Sequence, residues 1–418
     1  MKTLTLIFSL AFSFTVYAQT TQLTLAEVAK KVGSNNFKVY ENALKVYQAK
    51  KDIERVRMQL LPKLNIWTIA RTVVDPTSLI DSVTDIAPFL VPANWFRLEQ
   101  NKILYLAENE AYRALWGNEI HAAKAMYIRL LLDQTLLEYT ETGIVELTET
   151  WKIIQIREAL GGSTPGLARE IEIRILGLKD DQRNLANLVK EELDTLSLAL
   201  GMPASTTLQL ASVPVPDVQT LSPLTYDKYE FQLLANSPER RQFDHILSAL
   251  KQVKNEITYS FLGGSNISRG VAGGIFDNLP TPNGLGFGQG PSIKIVEAQK
   301  EIIRTQKRGV EETLKRQLKA LVNSFNTDLT AYKDVQHRLE LIIEGKKQLL
   351  LRIRMGEDIS LLELTEASRN QVQAQSAILG LQYRVLMNQD RLDRLLFVND
   401  YSMAPKQIDN LNKKKGEK

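Results

Sequence analysis

The spacing of the prolines constrains this chain most. A helix interior excludes proline, so a long gap between prolines marks where uninterrupted helix is allowed. There is none between Pro92 and Pro165, none between Pro165 and Pro203, and none between Pro291 and Pro405. Helical runs of that length lie far outside the range of ordinary globular domains. At 1.5 Å per residue, the stretch from Arg97 to Leu160 would make a rod of roughly 90 Å, with Gly117 and Gly143 as the places where it could bend.

The order of elements is written twice. In the first half Leu25 to Met58 reads as helix, Leu61-Pro62 ends it, and Lys63 to Trp95 holds two short extended stretches. A long helix, a turn at Gly161 to Gly166 and a shorter helix ending at Leu198-Ala199-Leu200-Gly201 follow. The second half repeats this from Tyr226, with Ser237-Pro238-Glu239 standing where Asn36-Phe37-Lys38 stands, extended segments between Glu256 and Ile295, and a turn at Met355 to Asp358. Its shorter helix ends at Leu395-Leu396-Phe397. The expectation is an internally duplicated chain, with a first repeat over 19–203, a linker over 204–225, a second repeat over 226–400 and a polar disordered tail over 401–418.

Residues 1–18 read as a secretory signal peptide. Lys2 precedes an apolar run from Leu4 to Phe14 and then Val16-Tyr17-Ala18, so the mature chain is expected to begin near Gln19. The chain has no cysteine, hence no disulfide, no thiolate metal site and no acylatable cysteine at the cleavage point. No apolar run of about 18 residues exists outside the signal, so a transmembrane helix is not expected. A closed β-barrel is the remaining way to cross a bilayer. A net charge of +4 over 418 residues does not suggest nucleic-acid binding, and the cluster Lys413-Lys414-Lys415 lies in the polar tail.

The helices carry a heptad rhythm. Leu364, Ala367, Gln371, Ala374, Ile378, Leu381, Val385, Asn388, Leu392 and Leu395 alternate by three and four, as do Ile171, Ile175, Leu178, Gln182, Leu185 and Val189. Small and polar residues in these seams suit helices that share faces with more than one neighbour. Four segments read as strands. Ile257, Tyr259 and Phe261 alternate with polar residues, and Phe287 to Ile295 alternates with glycine, serine and lysine. Lys63 to Thr72 alternates less cleanly, and Ala87 to Trp95 carries Pro88 and Pro92. Single-chain barrels start at about eight strands, so closure of a four-strand contribution requires several protomers.

These residues together resemble the TolC-like outer-membrane efflux proteins. The resemblance rests on the duplicated layout, Leu60-Leu61-Pro62-Lys63-Leu64, Asn236-Ser237-Pro238-Glu239-Arg240, Gly290-Pro291-Ser292-Ile293, and Gly356 with Ile359-Ser360-Leu361-Leu362-Glu363-Leu364. It implies a mainly α fold with a β-barrel contribution: long coiled-coil hairpins, and four transmembrane strands per protomer shared in a trimeric barrel. It implies an outer-membrane exit duct with a periplasmic tunnel, serving a tripartite efflux pump or a type I secretion system. The implied partners are a homotrimer, a periplasmic adaptor (membrane fusion) protein, an inner-membrane transporter and outer-membrane lipid. The apolar stretch from Val73 to Val91 is longer than that pattern needs, and the missing cysteine places the chain with the non-lipidated branch.

By the same resemblance Glu363 and Glu366, three apart on one helical face, form an acidic ring at the periplasmic constriction. On the residues alone they are equally a solvated acidic face. Like charges roughly 8 Å apart at an effective dielectric of about 20 repel by about 2 kcal/mol, which would favour cation binding or partial protonation. Arg169 and Glu172 stand at the matching places of the first repeat as a possible latch. Gly162, Gly166 and Gly356 mark helical turns that either dock the adaptor or serve turn geometry alone.

Other signals carry less. Gly284, Gly286, Gly288 and Gly290 precede a strand-like segment, whereas a nucleotide loop follows one. His121, His245 and His337 lie far apart without carboxylate or cysteine partners at ligand spacing, which favours surface or packing roles. Trp67 and Trp95 fit either an interfacial aromatic girdle or core packing. There is no nucleophile motif or acid–base constellation, so no enzyme, metal or cofactor is expected. The class that competes with the duct is a periplasmic coiled-coil structural or adaptor protein.

Overall fold

The computed structural model describes residues 20–61, 87–161, 165–265, 267, 276, 279–280, 288–355 and 361–402. The signal peptide, the strand expected at Lys63 to Thr72 and most of the tail therefore lie outside the described residues. Two short parallel strands, β1 (Thr20–Leu23) and β2 (Thr207–Leu210), pair in register Thr20 to Thr207 through Leu23 to Leu210. β2 lies within the segment read as a linker. The Tyr127 hydroxyl sits 2.8 Å from the Leu23 carbonyl and 2.7 Å from that of Ala211, tying this pair to the helices. Burial pushes that hydroxyl up to about 12.

The helices run α1 (Leu25–Asn35), α2 (Phe37–Gln59), α3 (Pro92–Ala159) and α4 (Leu167–Ala199), then α5 (Tyr226–Asn236), α6 (Pro238–Thr258), α7 (Gln289–Arg354) and α8 (Leu361–Leu396). Their lengths follow one order in both halves: 11, 23, 68 and 33 residues, then 11, 21, 66 and 36. α3 is one helix of about 100 Å, and neither Gly117 nor Gly143 interrupts it. Gly117 instead makes room for the Arg394 guanidinium, which a Cβ there would approach to 2.8 Å.

The packing forms a row. α2 and α4 lie on α3, α3 lies on α6 and α8, and these two lie on α7. α1 covers α3 from outside that row, and α5 covers α7 and α8. The heptad seam of α8 is partly borne out, since Ala374, Leu381, Val385, Leu392 and Leu395 are buried. Polar seam positions find partners: Gln371 accepts from Lys346 at 2.9 Å, and Asn388 donates to Asp328 at 3.1 Å. On α4, Ile171, Ile175 and Val189 are buried.

Three of the four expected strands are helical where they are described. Ile257 closes the stripe Ile246, Ala249, Leu250, Val253, Ile257, whose spacing is that of a helix face packed on Leu104 and Ala107. The apparent alternation at Ile257, Tyr259 and Phe261 is the end of that stripe running into a 3₁₀ turn at Ser260–Leu262. At Ala87 to Trp95 the prolines open helices rather than interrupt a strand. Pro88 starts a 3₁₀ turn, Pro92 occupies the first position of α3, and Asn94 donates to the Pro88 carbonyl at 2.8 Å. Pro291 likewise sits in the first turn of α7, where its missing N–H costs nothing, so Gln289 to Ile295 is helix. Phe276, fully buried, packs with Val296 and Ile303 in the cluster that holds Ile257. Below the start of α3, Arg97 and Gln100 bind the buried Glu256 carboxylate, Arg97 at two positions.

Candidate functional site

The row of helices has two ends and a middle. At one end are the tips of the hairpins α3–α4 and α7–α8. Gly166 opens α4 with φ of +95°, a left-handed conformation that suits glycine. Glycine offers no capping side chain, and Glu158 supplies one from across the turn, accepting from the Ala168 N–H at 2.9 Å. Ile154, Ala168, Ile171 and Ile175 form a small core under this tip. Arg169 and Glu172 point away from it as the third and sixth residues of α4, both exposed. Glu363 and Glu366 occupy the third and sixth positions of α8 and are likewise exposed. The structure thus places the two pairs alike, but no ion pair joins them among the described residues. Gly162 and Gly356 lie outside the described residues.

In the middle, the shorter helices meet end to end. At the first joint Asn36 closes α1 and caps α2, accepting from the Val39 N–H at 3.0 Å, and donates to Ala199 O at 2.8 Å. At the second, Ser237 caps α6 by accepting from the Arg240 N–H at 3.2 Å, while Asn236 donates to Leu396 O at 3.1 Å. The first joint carries one largely exposed ion pair, Lys38 with Glu119 at 3.3 Å, whereas buried charges gather at the second. Arg394 donates to Glu239 at 2.6 Å, to Asn118 at 2.8 Å and to the Ala114 carbonyl at 3.1 Å. Asp390 receives His121 at 2.8 Å, Lys124 at 3.0 Å and the Tyr401 hydroxyl at 2.7 Å. Burial raises the Asp390 carboxyl, but these donors outweigh it and hold the group below the usual carboxylate range. Glu239 is shifted the same way: burial raises it, and Arg394 more than reverses that. Beside this network lies a hollow of ≈970 Å³ lined in part by Asn118, His121, Glu239, Thr313, Arg391 and Arg394.

No protein-family model and no curated protein matches the sequence. Solved structures do match. The Campylobacter jejuni CmeC outer membrane channel is similar with a TM-score of 0.68 at 12% identity, over 92% of this chain and 88% of that one. The outer membrane protein VceC of Vibrio cholerae gives 0.68 at 12% identity, over 89% and 95%. The fold is that of the TolC-like outer-membrane channels. The open state of the Neisseria gonorrhoeae MtrE outer membrane channel agrees, with a TM-score of 0.66 at 13% identity over 89% and 88%.

Within this channel fold, among the described residues no group of three or more His, Asp or Glu side chains is placed to hold a metal. None of the described helices is long and apolar enough to cross a membrane. Sequence reasoning missed the buried network at the second joint. His121 does have a carboxylate partner, Asp390, 269 residues away in the chain. Asp390 and Arg394 lie two residues and one residue from the nearest seam positions, outside the seam itself, so the heptad pattern carried no signal for them.

Proposed function

We propose that this protein is one protomer of a homotrimeric outer-membrane exit duct, the passive channel of a tripartite efflux pump or type I secretion system. The observation that supports this most is the row of helices with two unclosed ends. α2 and α4 terminate it on one side and α7 on the other. Both edges carry exposed apolar side chains, Ile173, Leu176 and Leu198 on α4 and Ile302, Leu341 and Leu351 on α7. A row whose two edges differ closes only by head-to-tail association with further copies, which for a fixed rotation gives a ring. Such a ring of long helices encloses a tunnel, and the absence of cysteine and the expected signal peptide accord with a non-lipidated exported protein.

In this reading Glu363 and Glu366 line the tip-end constriction, Arg169 and Glu172 face them from a neighbouring protomer, and the turns at Gly162, Gly166 and Gly356 meet a periplasmic adaptor coupled to an inner-membrane transporter. Cargo choice then belongs to the transporter, since the duct has no turnover of its own. The native mass of protein extracted in detergent from purified outer membranes tests the proposal: a trimer is expected, and a monomer in the soluble periplasmic fraction overturns it. The second result would favour the periplasmic coiled-coil reading, which draws on the helical state of the described residues at Ser260–Leu262 and Gln289–Ile295. For the gate, Glu363→Gln with Glu366→Gln is expected to increase the conductance of reconstituted channels, and unchanged conductance would remove that assignment.

A further inference from the structure

The end of the row opposite the tips has an apolar surface. Met58 and Leu61 at the end of α2, Phe89, Leu90 and Trp95 at the start of α3, and Tyr259, Phe261 and Leu262 after α6 are all exposed. The Phe96, Tyr259 and Phe261 rings stack in sequence at 5.4 and 6.5 Å. Within this belt, between α2 and α3, lies a hollow of ≈380 Å³ lined by Leu60, Leu61, Phe89, Trp95 and Leu98, with Arg57 and Lys102. Trp95 donates its indole N–H to the Phe89 carbonyl at 2.8 Å, so its polar edge is satisfied within the chain.

The two cations lie on one side of the hollow. α2 runs towards this end of the molecule, so Arg57 precedes Leu60 and Leu61 by about one turn on the side facing the tips. α3 runs away from it, so Lys102 follows Trp95 and Leu98 on that same side. Arg57 is exposed and makes no ion pair among the described residues, and Lys102 has only the half-buried Glu99, at 3.0 Å on its own helix. The hollow is therefore apolar towards the end of the molecule and positive towards its middle.

We propose that this hollow seats an acyl chain of an anionic phospholipid, whose phosphate lies between Arg57 and Lys102. The proposal rests on the outer-membrane reading, in which this end meets the bilayer. Headgroups of the periplasmic leaflet then face the tips and acyl chains point the other way, which is the polarity of the hollow. Aromatic side chains at its rim match the interfacial preference of tryptophan and tyrosine, and basic side chains at membrane surfaces favour anionic lipid. A free phosphate would satisfy the cations and leave the apolar part unfilled.

The test is native mass spectrometry of the full-length protein in nonionic detergent with added dioleoyl-phosphatidylglycerol or dioleoyl-phosphatidylcholine. The wild type is expected to retain the anionic lipid about tenfold more tightly. Arg57→Gln with Lys102→Gln removes this preference, Arg57→Lys with Lys102→Arg keeps it, and excess inorganic phosphate does not displace the lipid. Equal retention of both lipids by the wild type, an unchanged preference in the glutamine variant, or displacement by phosphate each overturns the site. Fractionation of the same cells separates the two ideas: a soluble wild type refutes the duct, whereas an outer-membrane protein without lipid preference refutes only this site.

Discussion

At the first joint Gly201 turns the chain out of α4 with φ of +63°, and at the second Phe397 does the same after α8 with φ of +55°. Glycine takes this conformation without strain, while for phenylalanine it costs about 1–2 kcal/mol. The first joint uses the missing side chain: a Cβ on Gly201 would lie 2.1 Å from the Asn35 carbonyl oxygen, so α1 and the end of α4 meet backbone to backbone. Around it are Leu23, Val28, Trp116, Leu196 and Leu200. The second joint offsets its strain with charge. The buried Phe397 ring lies 4.9 Å from the Arg113 guanidinium and 5.4 Å from that of Arg394, an arrangement that contributes up to about 2 kcal/mol when desolvated. One position in the architecture is thus closed mainly by backbone fit in one half and by buried charge in the other.

The largest test of that contrast is Arg394→Ala. It strands the Glu239 carboxylate, empties the space over Gly117 and removes a cation from Phe397, so a loss of about 3–5 kcal/mol is expected by chemical denaturation. A loss below about 1 kcal/mol would mean that the second joint is not held by charge. Gly201→Ala should cost somewhat less, about 2–4 kcal/mol, from left-handed strain plus the displacement of α1. Its cost should change little between low and high salt, because the Gly201 contact with the Asn35 backbone is uncharged. Phe397→Leu keeps the strained backbone and loses both ring–guanidinium contacts, for which about 1–3 kcal/mol is expected.

Acid provides the next measurement. Asp390 and Glu239 both have depressed folded values, from ordinary values of 3.8 and 4.5, so the folded state binds their protons more weakly than the unfolded chain does. Their stabilisation is complete above those ordinary values and is lost as pH falls below them through the folded values. Thermal unfolding should therefore show a decline below about pH 4.5 that Asp390→Asn flattens. A decline of equal slope in that variant would locate the acid sensitivity elsewhere.

Much of the helical architecture was legible in the sequence because proline and heptad spacing report directly on backbone geometry. The turns after Ala159 and Arg354 fall where Gly161 to Gly166 and Met355 to Asp358 mark them. The joints were not legible: Leu25 to Met58 reads as one helix, as does the stretch from Tyr226, although Asn36 and Ser237 cap helices there through short polar side chains. The strand reading failed at Ile257 to Phe261 because three alternating residues also fit the end of a helical stripe, and periodicity cannot decide over so short a window. It failed at Pro92 and Pro291 because proline opens a helix as readily as it limits a strand. The network of His121, Lys124 and Asp390 was not legible at all, because its members come from helices far apart in the chain and converge only through packing.

The smallest expected effect has the opposite sign and comes from the first half. Asp133 on α3 and Glu192 on α4 both approach Arg129, whose Nε lies 3.7 Å from Asp133 Oδ2 and 3.1 Å from Glu192 Oε1. Asp133 Oδ2 and Glu192 Oε2 are buried without hydrogen-bond partners. Asp390 has three donors for one carboxylate, whereas here two carboxylates share one largely exposed arginine. Burial, with the neighbouring Asp133, raises Glu192 above the ordinary 4.5. A raised folded value means the folded state holds the proton more tightly, so this group favours folding at low pH and the benefit is lost as pH rises through that value. Glu192→Gln keeps an acceptor for Arg129 and removes the repulsion, and should stabilise the protein at neutral pH by about 0.5–1 kcal/mol. It should leave the acid limb governed by Asp390 and Glu239 in place. A destabilised Glu192→Gln variant at pH 7 would show that Arg129 satisfies both carboxylates, and that charge supports the first half of the molecule as it does the second.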